Sequence, residues 1–133
     1  MTSVTLELDA IYKLAHDVML ANGCDADNAA ALADIICRAE RDGSHSHGLF
    51  RVPGYVKALR SGKVDGKAKP TVKHLTPAVI QVDGNGCFAP LAQAFGLPLL
   101  ADATGKIGIA ALSLVGIHHF AALWPETEYM ADR

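Results

Sequence analysis

The chain has 133 residues, half of them hydrophobic and a fifth charged, which suits one modest folded core and is too short for two full domains. A formal charge of −2 without any run of Lys or Arg gives no electrostatic footprint for nucleic acid or an anionic membrane. No apolar run reaches the roughly 18 residues of a membrane span, and "MTSVTLELD" lacks the basic start of a secretory leader, so a cytoplasmic chain with reduced cysteines is expected.

In chain order, "VTLELD" alternates like a strand and runs into a helix in which Ile11, Leu14, Ala15, Val18 and Met19 recur at helical spacing, with Asp9 as cap and Gly23 as stop. A second helix follows in "DADNAAALADIICRAERDG", with Ala29, Leu32, Ala33, Ile36 and Cys37 on one face. Its acids come first and Arg38 and Arg41 last, the order that suits a helix dipole. Gly43 ends it. "SHSHG" then forms a connection to a further helical piece, "LFRVPGYVKALRSG", interrupted by Pro53 and Gly54.

After Gly62 the composition changes: "KVDGKAKP" is a polar connector, and "TVKHL" and "AVIQVDG" read as two short strands. "FAPLAQAFGLPLLADATGK" reads as a helix despite Pro90, Gly96 and Pro98, "IGIAALSLV" as a buried strand, and "GIHHFAALWPETEYMADR" as a loop with one helical turn. The expected class is α/β (α+β), with a helical subdomain over 1–62 and a partial sheet-containing subdomain over 63–133.

Two features bear on chemistry. Gly84, Gly86 and Ala89 match the G-x-G-x-x-A dinucleotide fingerprint, but the following strand ends in Val115 and Gly116 where an acid should meet the ribose; a plain glycine turn is the alternative. Four of the six histidines fall in two pairs, His45 with His47 and His118 with His119. They could converge on a metal, although an H-x-H pair in a turn with no acid recruited is a weak ligand set. Alternatively one histidine of each pair serves acid–base or binding chemistry, with Ser46 beside His47 to orient it and Arg51 one turn on to hold a carboxylate. A structural or surface role for all four is the remaining reading.

The segments "RDGSHSHGLFRVPGYVKALRSGKVDG" and "HHFAALWPE" resemble the N-terminal part of the type 2 malate/L-lactate dehydrogenase family, and within it the branch reducing Δ1-piperideine-2-carboxylate and Δ1-pyrroline-2-carboxylate. The resemblance implies a non-Rossmann oxidoreductase that uses NADPH (or NADH) on a small-molecule carboxylate substrate and forms a homo-oligomer. It implies that Ser46 orients a catalytic His47, that His47 donates the proton, and that Arg51 grips the substrate carboxylate. It also implies a cofactor strip at Phe120, Ala121, Ala122, Leu123 and Trp124, with His119 lining it. Gly116 and Ile117 stand where the family carries an Asn-Ser pair, which removes hydrogen-bonding groups near the nicotinamide. Family members are more than twice as long, so a truncated member with impaired activity is expected; the alternative is a non-catalytic helical interaction module.

Overall fold

A computed structural model describes residues 4–119 and 121–133. Helix α1 (Leu8–Ala21) and helix α2 (Ala26–Arg41) pack side by side through Ile11, Ala15 and Met19 of the first and Ala29, Leu32, Ala33 and Ile36 of the second. The side chain of Asp25 caps α2 by accepting from the Asn28 N–H at 3.0 Å. Two 3-10 turns, His45–His47 and Leu49–Arg51, lead directly into α3 (Val52–Arg60), which adds Tyr55 and Ala58 to the same core.

A sheet of three strands follows, in the order β1 (Thr71–Thr76), β2 (Val79–Asp83), β3 (Ala111–Val115). β1 runs antiparallel to β2 with Thr71 opposite Asp83; β3 runs parallel to β2 with Val79 opposite Ala111. Helix α4 (Ala89–Ile107) makes the crossover and covers Val82 with Leu91 and Ala92. Gly96 sets the depth of that packing, because a Cβ there would lie 2.7 Å from both Leu112 methyl carbons. Phe88 belongs to the helical core, and Ala31 of α2 packs against the sheet's core. The short helix α5 (Pro125–Ala131) closes the described chain against α2 through Arg38 and Arg41, both within 4 Å of Glu128. Among the described residues no helix is long and apolar enough to cross a membrane.

Four expectations need correction. Residues 4–7 form no strand, since among the described residues no strand offers them a ladder, and the helix begins at Leu8 with Glu7, not Asp9, in the cap position. Pro53 starts α3 instead of interrupting it, because a first-turn residue needs no N–H partner. α4, by contrast, forms as expected, with Pro90 in its first turn and Pro98 inside it. β3 is half-exposed, not buried: it pairs with β2 on one side, and among the described residues no strand covers its other edge.

Candidate functional site

The site is built on the stretch after α2, where Gly43 adopts φ +71° and turns the chain. The first 3-10 turn presents His45, Ser46 and His47 in succession. Ser46 Oγ lies 3.0 Å from His47 Nδ1, and Ser44 Oγ lies 3.4 Å from the same nitrogen. With Nδ1 engaged by hydroxyls, Nε2 is the ring nitrogen left for other chemistry. Arg51, at the end of the second turn, donates from Nε to the Ser46 carbonyl at 2.9 Å. That bond uses one donor of the guanidinium fork, so a carboxylate can be met by the others.

His45 does not join His47. Its Nδ1 donates to Glu40 Oε2 at 2.5 Å, so the two rings serve different partners.

The second pair of histidines reaches the same region by another route. The N–H groups of the glycine turn are taken by the chain itself: Gly84 donates to Val115 O, Gly86 to Gly116 O and Ala89 to His118 O, at 2.9, 2.7 and 3.0 Å. Asn85 N–H is bonded to Asp83 Oδ1, and Cys87 N–H to Gly84 O. The pattern that mimics a dinucleotide fingerprint therefore has its amides directed at residues 115–118, not at a pyrophosphate. Its effect is to fix the approach to His118 and His119. His119 sits at φ +54°, and its Nδ1 accepts from the Ala121 N–H at 3.0 Å. Burial, followed by the charges of Arg51, His118 and His47, holds the His119 imidazole below the usual histidine range.

Of the proposed cofactor strip, Phe120 lies outside the described residues. Ala121 and Ala122 are buried against Ile35, so their side chains are core, and only their backbone could meet a dinucleotide. Leu123 is 68 % exposed, and Trp124 stands edge-on to His47 with ring centroids 6.4 Å apart. Trp124 is held there by its indole N–H, which donates to Asp42 Oδ2 at 3.0 Å. Leu123 and Trp124 thus follow one another, the first exposed and the second edge-on to His47. A separate cleft of about 230 Å³ between α2, α4 and α5 touches none of Ser46, His47 or Arg51.

Tyr55, which the sequence reading did not single out, packs behind His119. It is 3 % exposed, and its ring stands edge-on to Phe88 at 5.3 Å and to His119 at 5.5 Å. Its hydroxyl has no partner among the described residues, and burial, opposed by nearby Arg51, pushes the phenol up to about 12. The available signal was its position four residues after Arg51, one helical turn along the same face.

The α/β fold, with a serine-linked histidine and an arginine on two successive turns, is that of an oxidoreductase family. The chain is a member of the malate/L-lactate dehydrogenase family, whose sequence model matches residues 6–133. Among curated relatives, a Δ1-pyrroline-2-carboxylate reductase of Ancylobacter novellus is 46% identical over 125 residues, covering 94% of this chain and 37% of the relative. A Δ1-pyrroline-2-carboxylate/Δ1-piperideine-2-carboxylate reductase of Pseudomonas syringae pv. tomato is 42% identical over 129 residues, 97% of this chain and 38% of the relative. The crystal structure of Δ1-piperideine-2-carboxylate reductase from P. syringae superposes with a TM-score of 0.93 at 42% identity, over 98% of this chain and 39% of that one. A malate dehydrogenase from Entamoeba histolytica shares the fold at a TM-score of 0.85 and 23% identity, over 94% of this chain and 35% of that one. The chain therefore spans less than two-fifths of the length of the relatives it matches.

Proposed function

We propose that this chain supplies the proton-donating and carboxylate-binding side of an NAD(P)H-dependent reductase site for cyclic imino acids of the pyrroline-2-carboxylate and piperideine-2-carboxylate type, or for 2-oxo acids. The observation that carries this reading is Ser46 Oγ at 3.0 Å from His47 Nδ1, with Arg51 tied to the Ser46 carbonyl. The names of the 46% and 42% identical relatives support the substrate class.

In this reading Arg51 binds the substrate carboxylate and so sets the ring beside His47. Ser46 fixes the imidazole by its Nδ1, and His47 donates a proton from Nε2 to the ring nitrogen of the imine, or to the oxygen of a 2-oxo acid. NADPH or NADH, when bound, supplies the hydride to the adjacent carbon. Burial, with the charges of Arg51, His118 and His47, holds the His119 imidazole below its usual range, which disfavours a further positive charge in this region. Tyr55 is proposed to back this region, its buried ring edge-on to His119 and its hydroxyl without a partner among the described residues. The chain is proposed to act in the cytoplasm and to self-associate through apolar surface that includes Ile109, which is 78 % exposed.

The purified 133-residue chain is expected to bind the cofactor while turning over little or no substrate. Titration with NADPH should quench the fluorescence of Trp124, the only tryptophan, in a saturable way. No change up to millimolar NADPH would favour a helical interaction module instead. Stoichiometric loss of NADPH absorbance with pyrroline-2-carboxylate or piperideine-2-carboxylate would refute the expected impairment.

A further inference from the structure

The turn that carries Ser46 and His47 is closed from behind by an acid of the preceding helix. Glu40 lies one residue before the end of α2, and its side chain is only 14% exposed. One carboxylate oxygen, Oε1, accepts the Leu49 N–H at 2.7 Å. The other, Oε2, accepts from His45 Nδ1 at 2.5 Å. His45 opens the first 3-10 turn and Leu49 opens the second, so a single carboxylate ties the starts of both. Between these two anchors lie Ser46, His47 and Gly48, and nothing else.

Gly48 fits this arrangement. Its φ of −88° is no left-handed conformation, so backbone freedom of that kind is not what it provides. It is buried, and a Cβ at this position would run into the Glu40 carboxylate. Glycine leaves the space through which the carboxylate reaches Leu49. A charged acceptor on a backbone N–H and on an imidazole N–H makes stronger bonds than neutral groups would, and it satisfies a donor at the open start of a 3-10 turn.

We infer that Glu40 is the positioning residue of this site: by gripping Leu49 and His45 it holds the arc that sets Ser46 Oγ on His47 Nδ1 and the Ser46 carbonyl on Arg51. His45 is its counter-partner, which gives the first histidine of the pair a function without placing it on substrate. The inference rests on the proposed function only for what the arc binds, and the geometry it explains can be read without a ligand.

The test compares the full 133-residue chain with Glu40→Gln, Glu40→Met and His45→Ala, each checked for folding by circular dichroism. Nuclear magnetic resonance follows hydrogen exchange at the Leu49 amide and the side-chain nitrogen shifts of His47, and pyrrole-2-carboxylate serves as a planar carboxylate probe. Glu40→Gln keeps an acceptor for Leu49 and should preserve slow exchange, the His47 shifts and probe affinity. Glu40→Met has similar length and no such acceptor, so Leu49 should exchange about tenfold faster, as loss of one charge-assisted hydrogen bond implies. His47 Nδ1 should then move towards its position in Ser46→Ala, and probe affinity should fall by a similar factor. His45→Ala, at an exposed position, should shift Leu49 and His47 in the same direction by less. Unchanged Leu49 exchange and His47 shifts in Glu40→Met overturn the inference; if that variant does not fold, unchanged values in His45→Ala overturn it. Failure of the unaltered chain to bind the probe counts against the carboxylate site alone, because the Leu49 and His47 readouts still decide the role of Glu40.

Discussion

Replacing Tyr55 by Phe should move stability and ligand affinity in opposite directions. The hydroxyl is buried, has no partner among the described residues and sits where burial raises the phenol to about 12, so the free chain bears a desolvation cost for it. An unsatisfied buried polar group costs about 1–3 kcal/mol. Taking the lower end, because the ring keeps its contacts with Phe88 and His119, Tyr55→Phe should stabilise the chain by about 1 kcal/mol. For a chain of this size that raises Tm by about 3–5 °C. If the same hydroxyl donates to a bound carboxylate, its loss removes a hydrogen bond to a charged group worth about 1.5–3 kcal/mol, or tenfold or more in affinity. Thermal unfolding followed by circular dichroism, with and without pyrrole-2-carboxylate, measures both effects on one sample. A lower Tm in Tyr55→Phe would show that the hydroxyl is already satisfied, and unchanged affinity would remove Tyr55 from the site.

Two further substitutions test the frame around the site. Burial alone would raise the Asp25 carboxyl, but hydrogen bonds from Asn28 and Lys69 outweigh it and hold the group at about 2. Its pKa is thus lower folded than unfolded, so its stabilisation is complete above the ordinary value of 3.8 and is lost as pH falls towards 2. Asp25→Ala should cost about 1 kcal/mol at pH 7, the usual loss of a helix cap, and the gap to the parent chain should close near pH 2 in urea unfolding curves. Gly84→Ala should place a Cβ 2.5 Å from Ile117 Cγ2 and 2.9 Å from Cys87 Sγ. The expected cost is about 1–3 kcal/mol, as for other overpacking changes, with amide shifts concentrated at 115–119; an unperturbed spectrum would show that the glycine turn does not position His118 and His119.

The helices were legible because Ile11, Ala15 and Met19, and Leu32, Ala33 and Ile36, repeat at a period that only a helix buries on one side. "VTLELD" misled because alternation describes a strand only where a neighbour supplies the ladder. Pro53 and Pro90 look like breakers in one dimension and are first-turn residues once the helix start is known. In the candidate site, the Ser46–His47 contact and the Arg51 bond to the Ser46 carbonyl join neighbours in sequence, so spacing could suggest them, while the choice of His47 over His45 came from the family resemblance. Asp42 under Trp124 is 82 residues away from it, and Glu40 acts over nine residues through a bend. Neither contact leaves a spacing to detect. The glycine motif shows the converse, since G-x-G-x-x-A fixes a turn geometry while the destination of its N–H groups is decided by the segment at 115–118.

Ser46, His47 and Arg51 are proposed to form one binding and proton-donating site. Titration of the isotope-labelled 133-residue chain with pyrrole-2-carboxylate, followed by the Arg51 Nε–H and the His47 ring nitrogens, is the decisive measurement. The prediction is saturable shifts at both residues in the unaltered chain and none at the His47 ring nitrogens in Arg51→Gln. Absence of any shift at positions 46, 47 and 51, or saturable shifts confined to the cleft between α2, α4 and α5, would contradict it.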